Sequence, residues 1–176
     1  MSATLNVQGS CNNLCDDYPD STEYMARNAA NIDWMQGTFQ TAKDQGCVAV
    51  MLITQADPGW DDNDPKRAPT RNPKTLVEDD GAADGFKDFL LALRPETIAF
   101  GKPVATCTAT RTTSVSTSRC WIGLGSGWST SRASTFGGNQ PNLGDVNWLK
   151  VNVDPSSPEV FSYEQHIVNR GPVLVP

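Results

Sequence analysis

Four aspartates in one short stretch are the best candidates for metal ligands in this sequence. The stretch ADPGWDDNDP, residues 56–65, contains Asp57, Asp61, Asp62 and Asp64. Carboxylate oxygens are hard ligands that suit divalent cations. The stretch lacks the spacing, the glycine and the distal glutamate of a calcium-binding loop. We therefore treat a cation-binding loop as a hypothesis and a solvated acidic loop as the simpler interpretation.

A single histidine, His166, limits the catalytic chemistry that the sequence allows. With one imidazole, neither a histidine-based metal cluster nor a Ser/His/Asp arrangement can be assembled with the usual redundancy of histidines. A structural role for His166 in a strand is the simpler interpretation. The string GLGSG at residues 123–127 does not predict a phosphate loop, because no buried strand precedes it and no lysine follows. The pattern alone therefore gives no complete catalytic site.

A strand and a long helix are predicted before the acidic stretch. Residues 4–8 (TLNVQ) alternate like a short strand, and the turn-forming residues of 9–13 end it. Asp20 and Glu23 together predict a helix start of the capping-box type, and Gly46 predicts its end. The apolar face of this helix has five members: Tyr24, Ile32, Met35, Phe39 and Ala42.

The element directly before the acidic stretch is predicted to be a strand of a sheet. Residues 47–54 (CVAVMLIT) form a continuous apolar run, which predicts a central parallel strand buried on both faces. Loop residues 55–75 then begin at the carboxyl end of that strand, where open α/β sheets place their sites. The acidic stretch is therefore expected at the functional edge of a sheet.

A second helix is predicted from Asp84, with Phe86, Phe89, Leu90 and Leu93 on its apolar face. We expect it to be interrupted at Arg94-Pro95 and to end at Gly101-Lys102-Pro103. Val104 and Ala105 then begin a strand that the following sequence does not continue.

The carboxyl-terminal part of the chain predicts an antiparallel hairpin. Residues 146–153 (VNWLKVNV) and 159–168 (EVFSYEQHIV) are rich in strand-forming residues, and the turn DPSSP joins them. Together with the earlier strands and helices, the hairpin predicts an α/β (α+β) domain with a mixed sheet. The 176 residues suffice for one domain with a hydrophobic core.

Charge and hydropathy argue against nucleic-acid binding and against a membrane-spanning segment. The net charge of −6, with 14 scattered cationic residues, argues against binding to nucleic acid. The longest apolar run, residues 48–53, is too short to span a bilayer, and no export signal is visible at Met1. We therefore expect a soluble protein that is cytoplasmic by default, with no identifiable partner.

The five cysteines lack the paired Cys-x-x-Cys spacing of a zinc site. They are Cys11, Cys15, Cys47, Cys107 and Cys120. Cys11 and Cys15 could form a local disulfide in an oxidising compartment. Free thiols are the simpler interpretation.

The composition changes abruptly in residues 106–135, of which half are Ser or Thr. No carboxylate occurs between Glu96 and Asp145. This composition predicts an irregular Ser/Thr/Gly-rich segment within an otherwise ordinary acidic α/β protein.

Several strings of the chain resemble the carboxyl-terminal part of a bacterial calcineurin-like metallophosphoesterase. They are NVQGSCNNLCDDYPDSTEYMARNAANIDWM, VMLITQADPGWD, DGFKDFLLAL, FGKPVA and NWLKVNVDPSSPEVFSYEQHIV. The resemblance covers residues 5–105 and 136–168. It implies an αββα sandwich, in which two sheets lie between helical layers. It also implies two divalent metals of the Mn, Fe or Zn type, which clamp a phosphate and activate a bridging water.

This chain departs from the family at the metal-binding positions. The resemblance places the family's site positions at Gln55, Thr108 and Thr112. In the family, a strand beginning AYVHGDSHYF follows the GKPV segment, and its last histidine corresponds to Thr112. The chain begins after the family's early metal ligands. A neutral amide or hydroxyl cannot replace an imidazole without a large loss of affinity.

A shift of reading frame would explain the odd segment. A GC-rich coding of YVHGDSHYFRVDKPLLD, read one base late, gives TCTATRTTSVSTSRCW, which is the sequence from Thr106 to Trp121. We therefore hypothesise that residues of about 106–135 are translated out of frame between two compensating indels. A genuine Ser/Thr-rich loop is the alternative.

Two functions remain at this point. The first is a single, incomplete metallophosphoesterase-like domain over residues 1–176. We expect this domain to be catalytically inactive and to carry no cofactor of its own. We also expect that it can self-associate through exposed strand edges. The second is a non-catalytic, secreted-type binding module whose acidic loop takes a divalent cation. Calcium-dependent stability would distinguish the two.

Overall fold

The chain has a mixed α/β fold built on three parallel strands. The structure, a computed structural model, describes residues 1–56, 76, 83–111, 116–123, 134–136 and 146–168. Its helical elements are α1 (Gly9–Asn13), α2 (Ser21–Asp44) and α3 (Lys87–Phe100). Its strands are β1 (Ser2–Thr4), β2 (Val50–Thr54), β3 (Val104–Arg111), β4 (Ser116–Gly123), β5 (Ser134–Phe136), β6 (Val146–Val153) and β7 (Phe161–Val168).

The strands of the described residues form one five-stranded sheet and one hairpin. The sheet has the order β1-β2-β3-β4-β5. β1, β2 and β3 are mutually parallel, whereas β4 and β5 join as antiparallel strands. β2 therefore lies between two parallel neighbours, as predicted.

The long helix α2 begins and ends as predicted. The Asp20 carboxylate accepts hydrogen bonds from the backbone N–H groups of Thr22 and Glu23, both at 3.0 Å. Gly46, at φ 66°, adopts the left-handed conformation that follows a helix end. Three predicted face residues are fully buried: Met35, Phe39 and Ala42. In the described part of the chain, no helix combines the length and apolarity that crossing a membrane requires.

The first strand lies slightly earlier than the predicted residues 4–8. β1 covers Ser2–Thr4, and the chain beyond it still runs beside β2, because Leu5 N donates to Ile53 O at 2.9 Å. The predicted alternation is present, since Leu5 and Val7 are buried.

The prediction that β2 is buried on both faces is only half right. Val50 and Leu52 point into the core beneath the helices and are fully buried. On the other face Met51 is half-buried and Ile53 is 38% exposed. The hairpin of β6 and β7 covers only part of that face, which explains the difference.

The predicted interruption at Arg94-Pro95 is wrong, because α3 continues through Pro95. An interior proline costs a helix about 3 kcal/mol. Residues on both sides of Pro95 are buried against the sheet and α2, namely Phe89, Leu90, Leu93, Thr97 and Phe100. Since burying one large apolar side chain contributes about 1.5–3 kcal/mol, the packing of these residues outweighs the proline. The helix ends at Gly101, as predicted.

Residues 106–135 contain strands where an irregular segment was expected. The strand that begins at Val104 continues to Arg111, β4 lies within the segment, and β5 begins at Ser134 near the end of the segment. Threonine is β-branched and fits a pleated, half-buried surface, so a Thr-rich sequence can form strands despite its polarity.

The two faces of the sheet carry different layers. The larger apolar cluster joins α2 and α3 to one face, and within it the rings of Phe39 and Phe100 meet edge to face at 5.8 Å. On the other face, Val160 and Phe161 of the hairpin pack against Ala49 and Ala105. The predicted hairpin is confirmed, with β6 at its predicted bounds and β7 starting at Phe161.

Candidate functional site

The carboxyl ends of β1, β2 and β3 meet at one edge of the sheet, where parallel α/β sheets place their ligands. β1 leads into the turn α1, and β2 leads through Thr54 into Gln55. The Gly9 N–H donates to Gln55 Oε1 at 3.3 Å, which joins these first two ends. In the β2–β3 register, Thr54 is the partner of Thr108. We call this region the carboxyl edge.

Thr54 and Thr108 are both buried at the carboxyl edge, but their hydroxyls differ. Thr54 is 5% exposed and its hydroxyl donates to Ala56 O at 3.0 Å. Thr108 is 4% exposed, and its Oγ1 has no hydrogen-bond partner among the described residues. A buried polar group without a partner costs about 1–3 kcal/mol. Among the described residues, nothing offsets this cost for the Thr108 hydroxyl.

The structure brings together two of the three site positions that the resemblance implies. Gln55 and Thr108 both lie at the carboxyl edge. Thr112 lies outside the described residues, as do the four acidic-loop residues Asp57, Asp61, Asp62 and Asp64.

The part of the chain that the structure describes contains no cluster of three or more His, Cys, Asp or Glu residues able to hold a metal. His166 lies in β7, where its Nε2 is 3.6 Å from a carboxylate oxygen of Glu164. The two residues are two positions apart and share one face of the strand. A structural role for His166 stays a prediction.

The turn α1 is left-handed, which the sequence did not predict. Ser10, Cys11, Asn12 and Asn13 have φ values of 51°, 53°, 59° and 71°. The left-handed conformation costs a non-glycine residue about 1–2 kcal/mol. Only the turn-forming residues and the Cys11/Cys15 spacing hinted at an unusual turn here.

Asn12 is the centre of a polar cluster beneath this turn. It is fully buried, and its Nδ2 donates to the backbone oxygen of Gly85 at 3.0 Å. Its Oδ1 accepts from the Gln8 N–H at 3.2 Å and from Arg27. Arg27 also donates to the backbone oxygen of Asn12 at 3.1 Å. The left-handed turn is thereby fastened to α2 and to the residues that precede α3.

Two side chains of α2 near this cluster, Glu23 and Tyr24, have shifted pKa values. The hydrogen bond from Arg27 lowers the pKa of Glu23. Burial, with smaller repulsion from Asp88 and Asp84, raises the pKa of Tyr24. The Tyr24 hydroxyl donates to the Gly85 oxygen at 3.1 Å. The backbone oxygen of Gly85 therefore accepts two hydrogen bonds, one from Asn12 and one from Tyr24.

The simpler interpretation of Cys11 and Cys15 as free thiols is wrong. They form a disulfide with a Cα–Cα distance of 5.3 Å. The left-handed turn brings the two residues together. Cys107 is also disulfide-bonded, and the β3–β4 register places Cys120 opposite it. Cys47 is free.

Comparison with known proteins gives no relative. No protein-family model, curated protein or solved structure matches the chain.

Proposed function

We propose that this chain is the carboxyl-terminal part of a calcineurin-like metallophosphoesterase and is catalytically incomplete. The observation that carries the proposal is the placement of Thr108 beside the end of β2. The resemblance implies metal-binding positions at Gln55 and Thr108, and both lie at the carboxyl edge. The buried hydroxyl of Thr108, without a hydrogen-bond partner among the described residues, supports a position that suits a different side chain.

The order of the layers also supports the proposal. An αββα sandwich has a helical layer, two sheets packed face to face, and a second helical layer. Here α2 and α3 cover one face of the main sheet, and the β6–β7 hairpin packs on the other face. This arrangement corresponds to three of the four layers, with a second sheet of two strands in the described residues.

The side chains that the structure describes at the carboxyl edge do not fit a pair of divalent metals. Gln55 offers a neutral amide oxygen, which already accepts the Gly9 N–H. Thr108 offers a neutral hydroxyl. Metals of the Mn, Fe or Zn type bind imidazole and carboxylate ligands far more tightly than these groups. We therefore infer that this polypeptide does not hydrolyse phosphoesters.

A phosphodiesterase assay tests the inactivity. We expect the purified chain, given a chromogenic phosphodiester and Mn²⁺, to produce no more product than buffer alone. Turnover that requires Mn²⁺ and stops with a chelator would contradict the proposal.

A pair of variants tests the family assignment separately. Thr108→His places an imidazole at the implied metal position, and Thr106→His places one two residues earlier on the same face of β3. Thr106 is also buried, at 8% exposed, so the two variants carry a similar packing cost. We expect only Thr108→His to show Mn²⁺ binding in calorimetric titration, and only weak binding, because one imidazole does not complete a metal shell. Equal binding by both variants would contradict the assignment.

The reading-frame hypothesis belongs to the same proposal and has its own test. We propose that residues of about 106–135 are encoded out of frame, and the codons of the gene decide this. Codons that, shifted by one base, encode YVHGDSHYF would support the hypothesis. Codons that cannot be shifted to that peptide would leave a genuine Ser/Thr-rich segment.

A further inference from the structure

The left-handed turn α1 contains one end of the Cys11–Cys15 disulfide. Cys11 lies inside the turn, and Cys15 lies two residues beyond its last residue. The four residues from Ser10 to Asn13 all have positive φ, although none is glycine. Because L-residues favour right-handed conformations, the turn needs an external restraint to persist. The disulfide is a covalent restraint at this place.

The turn positions the polar cluster of Asn12. The buried Asn12 side chain reaches the Gly85 oxygen, and Arg27 binds both the side chain and the backbone oxygen of Asn12. A right-handed turn would direct Asn12 elsewhere and would leave the Gly85 oxygen with only Tyr24 as its donor in this cluster. The conformation of α1 therefore determines whether Asn12 binds Gly85, and so whether the residues that precede α3 are bonded to the carboxyl edge.

The disulfide lies where a reductant can reach it. Cys15 is exposed and Cys11 is half-buried. A thiolate of a dithiol attacks one sulfur, the S–S bond breaks, and a mixed disulfide forms. The second thiol of the reductant then displaces the protein sulfur. The protein gains two electrons and two protons as two thiols, and the dithiol is oxidised to a cyclic disulfide.

We propose that the Cys11–Cys15 disulfide is a redox-controlled lock on the carboxyl edge. In the oxidised chain it holds α1 left-handed, with Asn12 bound between Arg27 and Gly85. In the reduced chain α1 relaxes, Asn12 leaves its buried position, and residues 83–88 detach locally while the core of α2 and β2 stays folded. The proposal does not depend on the phosphoesterase assignment.

Hydrogen exchange of the full chain, read by mass spectrometry, tests this lock. We expect dithiothreitol to raise amide exchange in peptides covering residues 8–15 and 83–88 by about tenfold or more. Exchange in peptides from Met35–Asp44 and Val50–Thr54 stays within about twofold, since those segments belong to the core. Removing the dithiothreitol and re-oxidising the protein restores the slow exchange.

A variant separates this disulfide from the one at Cys107. The Cys11→Ser/Cys15→Ser chain is expected to show the fast exchange of the reduced protein in both segments without any reductant. Dithiothreitol then changes nothing further there, although it still cleaves the Cys107 disulfide. If the variant does not fold, the oxidised, reduced and re-oxidised states of the unmodified chain decide the question. Unchanged exchange in both segments after reduction overturns the proposal, and so does an equal rise across α2 and β2.

Discussion

Asn31 of α2 and Asn6 are joined by two hydrogen bonds of the kind that neighbouring strands exchange. The Asn6 N–H donates to Asn31 Oδ1 at 2.9 Å, and Asn31 Nδ2 donates to the Asn6 oxygen at 2.8 Å. The buried amide of Asn31 thus takes the place of a strand beyond β1. Among the described residues, β1 has no strand on its outer side, and β5 has none on the side away from β4. Both edges are therefore among the places where self-association through strands is expected.

Replacing Asn31 tests this closure of the sheet edge. We expect Asn31→Ala to lower the free energy of unfolding by about 1–3 kcal/mol, because the Asn6 N–H loses its acceptor in a partly buried site. Urea denaturation measures the change. Asn28→Ala is the matched control, because Asn28 is another buried asparagine of α2 and its Oδ1 has no hydrogen-bond partner among the described residues. A loss in Asn31→Ala no larger than in Asn28→Ala would contradict the strand-like role of the Asn31 amide.

Gly85 is required because the turn α1 passes directly over it. A Cβ at Gly85 would lie 2.0 Å from the backbone oxygen of Cys11 and 2.9 Å from Asn12 Cβ. We expect Gly85→Ala to cost about 1–3 kcal/mol of stability, as overpacking against backbone does. Thermal or urea unfolding measures this cost.

Gly37 provides the control for that substitution. It lies on the exposed side of α2, and an added Cβ would meet no atom within 4 Å. Gly37→Ala is therefore expected to stabilise the chain by about 0.5–1 kcal/mol, through the better helix propensity of alanine. Equal effects of the two substitutions would show that the contact between α1 and Gly85 is absent.

The sequence predicted the elements whose signals are local. Asp20 and Gly46 mark the ends of α2, and the apolar run before Thr54 marks β2, because capping and periodicity depend on neighbouring residues. The interruption of α3 at Arg94-Pro95 was predicted wrongly, since the burial that carries the helix through Pro95 comes from contacts with other elements. The same holds for β3, where the polar residues Thr106 and Thr108 are buried by the sheet around them.

The strand end beside the candidate site was predicted, but the turn next to it was not. A strand end followed by a polar loop indicated the carboxyl edge, and Gln55 lies there. The left-handed turn was missed because its stability comes from Arg27, Gly85 and a disulfide, which are distant in sequence or covalent. No local pattern of Ser10–Asn13 encodes those restraints.

Calcium distinguishes the incomplete phosphoesterase from a cation-binding module. A ligand at 100 times its dissociation constant adds about 2.7 kcal/mol to the stability of the folded state. We expect no rise of the melting temperature in millimolar calcium, because the four loop aspartates lack the spacing of a calcium loop. Differential scanning calorimetry measures this. A rise that disappears in the Asp61→Asn/Asp62→Asn variant would favour the binding module instead.

Tyr163 is expected to make the chain sensitive to alkaline pH. Burial in the layer between β7 and the sheet raises the pKa of Tyr163 to about 12, and its hydroxyl has no hydrogen-bond partner among the described residues. The folded state therefore keeps this proton at a pH where the unfolded chain, with an ordinary pKa of about 10, loses it. Between these two values the unfolded state binds fewer protons, so the free energy of unfolding falls as pH rises.

The Tyr163→Phe variant isolates this effect. Near neutral pH we expect its stability to lie within about 1 kcal/mol of the original chain, because the hydroxyl that it removes makes no hydrogen bond with the described residues. Above pH 10 the variant is expected to lose less stability than the original, as other titrating groups are common to both and cancel in the difference. Tyr18→Phe, at a residue that is 94% exposed, serves as the control and should follow the original chain. Urea unfolding at several pH values between 8 and 12 measures all three proteins, and parallel curves for Tyr163→Phe and the original would contradict the burial of the Tyr163 phenol.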